Sequence, residues 1–97
     1  MADNVTDQKT ISITVQSLPN LKFTSVSYPT TAAEGSTVRI NYAVRNDGGA
    51  GTGFVKIVGQ PFRQEFSISA SGTYSNYFEF VMPNYNINWT IQTGYVS

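Results

Sequence analysis

Apolar and polar residues alternate one for one along most of this chain, and that alternation limits its fold more than any other feature. Ile11, Ile13 and Val15 alternate with Ser12, Thr14 and Gln16. Val38, Ile40, Tyr42 and Val44 alternate with Arg39, Asn41, Ala43 and Arg45. Phe78, Phe80 and Met82 flank Glu79 and Val81, and Ile87, Trp89, Ile91, Thr93 and Tyr95 flank Asn88, Thr90, Gln92 and Gly94. Successive side chains of an extended strand point to opposite faces, so each run offers one face to a core and one to water. A surface helix would need apolar residues every three or four positions, and no segment sustains that spacing. β-Branched and aromatic residues dominate the runs, as strands favour.

Turn-forming residues sit between the runs. They are Leu18-Pro19-Asn20, Tyr28-Pro29 through Glu34-Gly35, Asn46-Asp47-Gly48-Gly49, Gly59-Gln60-Pro61, Ser71-Gly72 and Pro83-Asn84. The punctuation predicts about seven strands, near 10–17, 21–28, 36–45, 53–59, 62–70, 73–82 and 87–96. Short strands at such spacing predict an all-β, immunoglobulin-like antiparallel β-sandwich. One parity break stands out: Leu21 and Phe23 share a face, but Val26 and Tyr28 share the other. A bulge or a sheet switch near Ser25 reconciles them. The face carrying Val38, with Phe80 and Trp89, is predicted to supply much of the core. Trp89 shares parity with Ile87 and Ile91, which makes it a core residue rather than a ligand contact.

At 97 residues the chain suits one domain, 1–97, with a modest core. Six basic and six acidic residues leave no net charge. That balance argues against nucleic acid, which demands a basic face, and against electrostatic attachment to lipid. No apolar run approaches the ~20 residues of a bilayer span, so no membrane insertion is expected. The polar stretch Met1 to Gln16 does not read as a secretory signal. Cys and His are absent. Disulfides, thiol nucleophiles, imidazole bases and zinc sites are therefore excluded. The abundance of Asn, Gln, Ser, Thr, Gly and Tyr suits a surface facing the outside world, whether cell surface or virion.

The stretch Pro19-Asn20-Leu21-Lys22-Phe23, then Glu34-Gly35-Ser36-Thr37-Val38-Arg39-Ile40, then Val44-Arg45-Asn46-Asp47-Gly48-Gly49-Ala50-Gly51 resembles the cell-adhesion-related domain of bacterial and archaeal surface proteins. That family opens with a Pro-Asp-Leu-like sequence, places a Gly before the second strand, and follows it with an Asn-x-Gly-Gly turn. The likeness covers about half the chain. It implies an immunoglobulin-like sandwich, often in tandem arrays on surface proteins, with no catalytic residues to carry over. The family usually closes with an Asp/Asn-rich loop and a last strand. Here the segment Asp3 to Val15 looks like that loop and strand placed first, either exchanged between chains or belonging to a preceding repeat. Val81-Met82-Pro83-Asn84-Tyr85-Asn86-Ile87 is similar to a turn of archaeal and viral surface modules.

Candidate chemistry is sparse. Glu34, Glu65, Glu79, Asp3, Asp7 and Asp47 are the only carboxylates, and none sits in a glycosidase-like pair. Ser and Thr lack any His partner. Asn46-Asp47-Gly48-Gly49-Ala50-Gly51 offers calcium one carboxylate, too few for tight binding; it reads as a turn whose Asn and Gly accept positive φ. Asn4-Val5-Thr6 and Asn88-Trp89-Thr90 fit the glycosylation triplet, which chance produces readily in such a composition. No catalytic residue, metal ligand or cofactor is expected. Of the aromatic residues, Tyr28, Tyr77 and Tyr85 are candidates for exposed contacts, either in a protein interface or on a sugar-stacking platform.

These readings converge on a non-catalytic structural or adhesive module. It would mediate protein–protein assembly on a cell surface or virion surface, as a surface repeat or a decoration protein. Its partners would be copies of itself or neighbouring surface or capsid subunits; the alternative is a carbohydrate-binding module. The strand Thr10 to Gln16, with Ile11, Ile13 and Val15 as its apolar face, is predicted to pair across chains or domains, with Leu18-Pro19-Asn20 as a hinge. Far-UV circular dichroism should show a β spectrum with no helical double minimum.

Overall fold

The computed structural model describes residues 2–13 and 17–97. Among them are six strands and no helix: β1 Leu21–Ser27, β2 Thr37–Asn46, β3 Gly51–Ile57, β4 Arg63–Ile68, β5 Thr73–Val81 and β6 Ile91–Val96. They form two three-stranded antiparallel sheets, ordered β1-β2-β5 and β4-β3-β6. The all-β class follows from the alternation, but the strand count is six, not seven. The strand expected near 10–17 is not formed over Thr10 to Ile13, and residues 14–16, including Val15, lie outside the described residues. Alternation prepares a segment for pairing, but a strand also needs a neighbouring backbone, and none lies against Thr10 to Ile13. The last strand starts at Ile91 rather than near 87.

The parity break resolves as a bulge. The β1–β2 register shifts between Phe23 and Ser25, leaving Thr24 as the extra residue. Leu21 and Phe23 therefore share the inner face with Val26, each opposite or beside an inward residue of β2. Tyr28 falls beyond the strand and stays exposed.

The sheets meet through their alternating inner faces. Val44 and Val55 are fully buried, Tyr42 and Ile57 nearly so, and Leu21, Phe66, Ile68 and Phe78 complete the cluster. Each such side chain contributes about 1.5–3 kcal/mol of burial free energy. Stacked rings of Phe66 and Tyr74, 3.9 Å apart, join β4 to β5. The Tyr42 hydroxyl donates to Gln64 Oε1, bridging β2 to β4.

Among the described residues the one buried polar side chain is Asn46, at the end of β2. Its Oδ1 accepts the backbone N–H groups of Asn20 (2.9 Å) and Gly48 (3.0 Å). Its Nδ2 donates to the carbonyls of Gly49 (2.9 Å) and Ser69 (3.0 Å). These four bonds fill the amide's two donor positions and both acceptor lone pairs. Asn46 N–H donates to Gly72 O, Asp47 N–H to Asn20 O, and Gly49 N–H to Leu18 O. One residue thus ties the β2–β3 connection to the start of β1 and to the β4–β5 turn.

The glycines of this turn do a different job from the one the sequence suggests. Neither Gly48 nor Gly49 has a positive φ, nor does Asn46; the left-handed positions are Gly35, Gly59 and Ser71. A Cβ on Gly48 would lie 2.2 Å from Leu18 O, and one on Gly49 2.2 Å from Ser17 O. Close passage of the Ser17–Asn20 backbone, not turn geometry, demands glycine here.

Replacing Asn46 with Ala removes the partner of two backbone N–H and two C=O groups. At about 1 kcal/mol net for each of the four hydrogen bonds, the loss should total about 3–5 kcal/mol, read from urea unfolding midpoints. Asn46→Asp should not rescue it, because a carboxylate would face the Gly49 and Ser69 carbonyls.

Candidate functional site

The segment between β5 and β6 is pinned at both ends. Gly35 N–H donates to Met82 O and Met82 N–H to Ser36 O, both at 2.8 Å, while Val58 N–H donates to Thr90 O at 2.9 Å. Between these anchors the alternation of Ile87, Trp89 and Ile91 carries Trp89 inward. Its ring lies 4.8 Å from Phe80 and 5.8 Å from Phe62. Phe62 also meets Phe78 at 5.8 Å, making it the hub of this aromatic cluster. Nothing in the alternation of the chain singled Phe62 out; it lies just before β4, outside any strand.

Packing does not close over this end of the core. Trp89 is half-buried rather than buried: it precedes β6 and packs against the margin of the core. Beside it opens a groove of about 940 Å³, lined chiefly by Val26, Val38, Ile40, Phe80, Trp89 and Ile91. Its polar lining is uncharged, from Thr30, Thr31, Asn86 and Asn88. No charged side chain reaches it, so the groove suits an apolar, neutral occupant.

The candidate tyrosines do not share a surface. Tyr28 reaches the groove. Tyr77 belongs to a shallow depression with Ser25, Asn41 and Ser75, and its ring lies under the Arg39 guanidinium at 4.5 Å. Tyr85, 66% exposed, lines neither. The assembly-strand candidates Ile11 and Ile13 are 85% and 89% exposed, and Val15 lies outside the described residues.

The three arginines are each paired with a carboxylate. Arg39 pairs with Glu79 at 2.7 Å, Arg45 with Asp47 at 2.7 Å, and Arg63 with Glu65 at 2.9 Å. All three pairs are exposed and add little stability. The hydrogen bond from Arg45 holds the Asp47 carboxyl below the ordinary aspartate range. Stability from such a lowered group is present above its unfolded pKa and lost as pH falls through the folded one. Burial, with help from neighbouring Tyr74, pushes the Tyr42 phenol well above its usual range. The Asn46–Asp47 turn spends the Asn46 amide on four internal hydrogen bonds and the Asp47 carboxylate on Arg45. Among the described residues no three acidic, His or Cys side chains cluster as a metal site. On the outer face of β3, Phe54 is flanked by Arg63 at 4.5 Å and Lys56 at 5.7 Å, with Gly94 against its ring.

No protein-family model matches the chain, and neither does any curated protein or solved structure.

Trp89→Ala should cost about 2 kcal/mol, short of the ~3–5 kcal/mol of a fully buried aromatic. Tryptophan emission should be intermediate between buried and solvated, and should move to the blue when the groove fills.

Proposed function

We propose that this chain is a non-catalytic, immunoglobulin-like structural or adhesive module that mediates protein–protein assembly at a cell surface or virion surface. One observation carries the reading. The chain presents an exposed apolar segment, with Val5, Ile11 and Ile13 at 73%, 85% and 89% exposure, together with an uncharged apolar groove that nothing among the described residues covers. Apolar surface left open in this way is the usual mark of an interaction site.

The immunoglobulin-like reading is supported by strand order: β1-β2-β5 matches the A-B-E order of such sandwiches and β3-β6 their C-F pair, with β4 beside β3 in the C′ place. The non-catalytic reading is supported by the carboxylates of Asp47, Glu65 and Glu79, each paired to an arginine at a separate exposed place. The surface placement rests on composition: few charges, no net charge, and many Asn, Ser, Thr and Tyr.

Light scattering on the purified chain, from micromolar to near-millimolar, should show reversible, concentration-dependent association, and an oligosaccharide array should give no signal. A chain that stays monomeric and binds a defined glycan would overturn this function in favour of sugar binding.

A further inference from the structure

The two sheets expose four edge strands, β1, β5, β4 and β6. Natural sheets guard such edges with charges, prolines or bulges, because an open backbone ladder invites pairing. β1 has Lys22 and the bulge at Thr24, β4 has Arg63 and Glu65, and β5 has Glu79. β6, Ile91-Gln92-Thr93-Gly94-Tyr95-Val96, has no charge, no proline and no register shift against β3. It pairs with β3 on one side and with nothing among the described residues on the other.

The core is also unequally covered. On the β4/β5 side, Phe66, Ile68 and Phe78 are only 8%, 6% and 4% exposed. On the β1/β6 side Leu21 is as closed as Phe66, but Phe23, Val26 and Ile91 are only partly buried. Tyr95 stands opposite Gly53, whose missing Cβ would point at Leu21 and Phe66. Its side chain therefore leaves the sheet on the inner face, yet it is 40% exposed. An inward side chain left in water marks a core that lacks one neighbour.

The same chain carries a segment of the complementary kind. Ile11 and Ile13 alternate with Thr10 and Ser12, lie in no strand, and touch so little that they are 85% and 89% exposed. We infer that the free edge of β6 is the docking site for the segment bearing Ile11 and Ile13 of a second copy of this chain, added antiparallel to β6. This deepens the assembly reading and rests on it.

Every strand pair of this molecule is antiparallel, and chain geometry lets an antiparallel segment reach β6 only from a second copy. Pro19 packs on Gly51, next to Thr52, which pairs with Val96; Leu18 O holds Gly49. The chain therefore enters β1 at the Val96 end of β6. A segment arriving there from the N-terminal side runs parallel to β6. To lie antiparallel it would run toward Ile91 and return. Ile11 to Val15 spans about 14 Å as a strand. The three residue steps from Val15 to Leu18 reach about 11 Å at most, with none to spare for a reversal. A second copy has no such tether. Donor and acceptor surfaces differ, so the contact is heterologous and propagates into a closed ring or an open filament.

The test uses the full chain and the double variant Ile11→Asp/Ile13→Asp. Both side chains are exposed within their own domain, so the variant should fold and melt as the wild type does. Light scattering should show association weakened at least about a hundredfold, the scale of losing two buried isoleucines. Hydrogen exchange across the concentration series should show free-edge β6 amides slowing about tenfold or more on wild-type association, with β1, β4 and β5 edges unchanged and no slowing in the variant. Equal association of variant and wild type, or protection of another edge, overturns the inference and leaves assembly standing. A monomer whose β6 amides are protected even on dilution overturns it in favour of folding back. A monomer with open β6 amides overturns this inference and self-assembly together.

Discussion

A single amide side chain fixes how the two sheets meet. Asn46 sits fully buried where β2 leaves its sheet for β3, and its four hydrogen bonds reach the start of β1, the turn it opens, and the carbonyl of Ser69 before β5. Each partner is backbone that the sheet ladders leave unused. A buried backbone group without a partner costs about as much as a lost hydrogen bond, so every alternative path for these segments is penalised at once. Apolar packing alone is tolerant of sliding and rotation. The saturated amide is not, and it converts two amphipathic sheets into one arrangement. Gly48 and Gly49 serve the same junction by letting the Ser17–Asn20 backbone pass where any side chain would collide.

Around that junction the molecule is unevenly closed. Near Asn46 the inner faces interlock through Val44, Val55 and the stacked pair Phe66 and Tyr74. Toward the other end the Phe62, Phe80 and Trp89 cluster leaves a groove, and along β6 the inward Tyr95 meets water. A small domain stabilised by a modest core does not leave apolar surface open without cost. The open side coincides with the one edge strand lacking charge or bulge, while an exposed alternating segment hangs from the same chain. These are the features on which the proposed contact between copies rests.

Charge plays little part in this design. The three arginines are each engaged by a carboxylate on the surface, and the groove and β6 are neutral. Association of such surfaces depends on area and backbone pairing rather than on steering, so it should be insensitive to salt.

The sequence by itself determined the all-β class and the faces of the strands that form. Alternation places Val38, Tyr42 and Val44 inward whatever the partner, because side-chain direction in an extended chain is a local property. The bulge in β1 was legible for the same reason, since Phe23 and Val26 cannot share a face without an extra residue. Where strands ended was less legible: Ile87 and Trp89 alternate like strand residues but precede β6, because no neighbouring backbone pairs with them. The segment of Ile11 and Ile13 has the pattern of a strand and no ladder, for that reason as well. Only the tertiary structure decided that Asn46 is a buried lock and Gly48 and Gly49 points of close passage rather than positive-φ turn residues, because each depends on backbone more than twenty residues away in sequence. Only it set Tyr28, Tyr77 and Tyr85 on separate surfaces and left β6 open, since exposure is fixed by what packs against a residue and not by the residue itself.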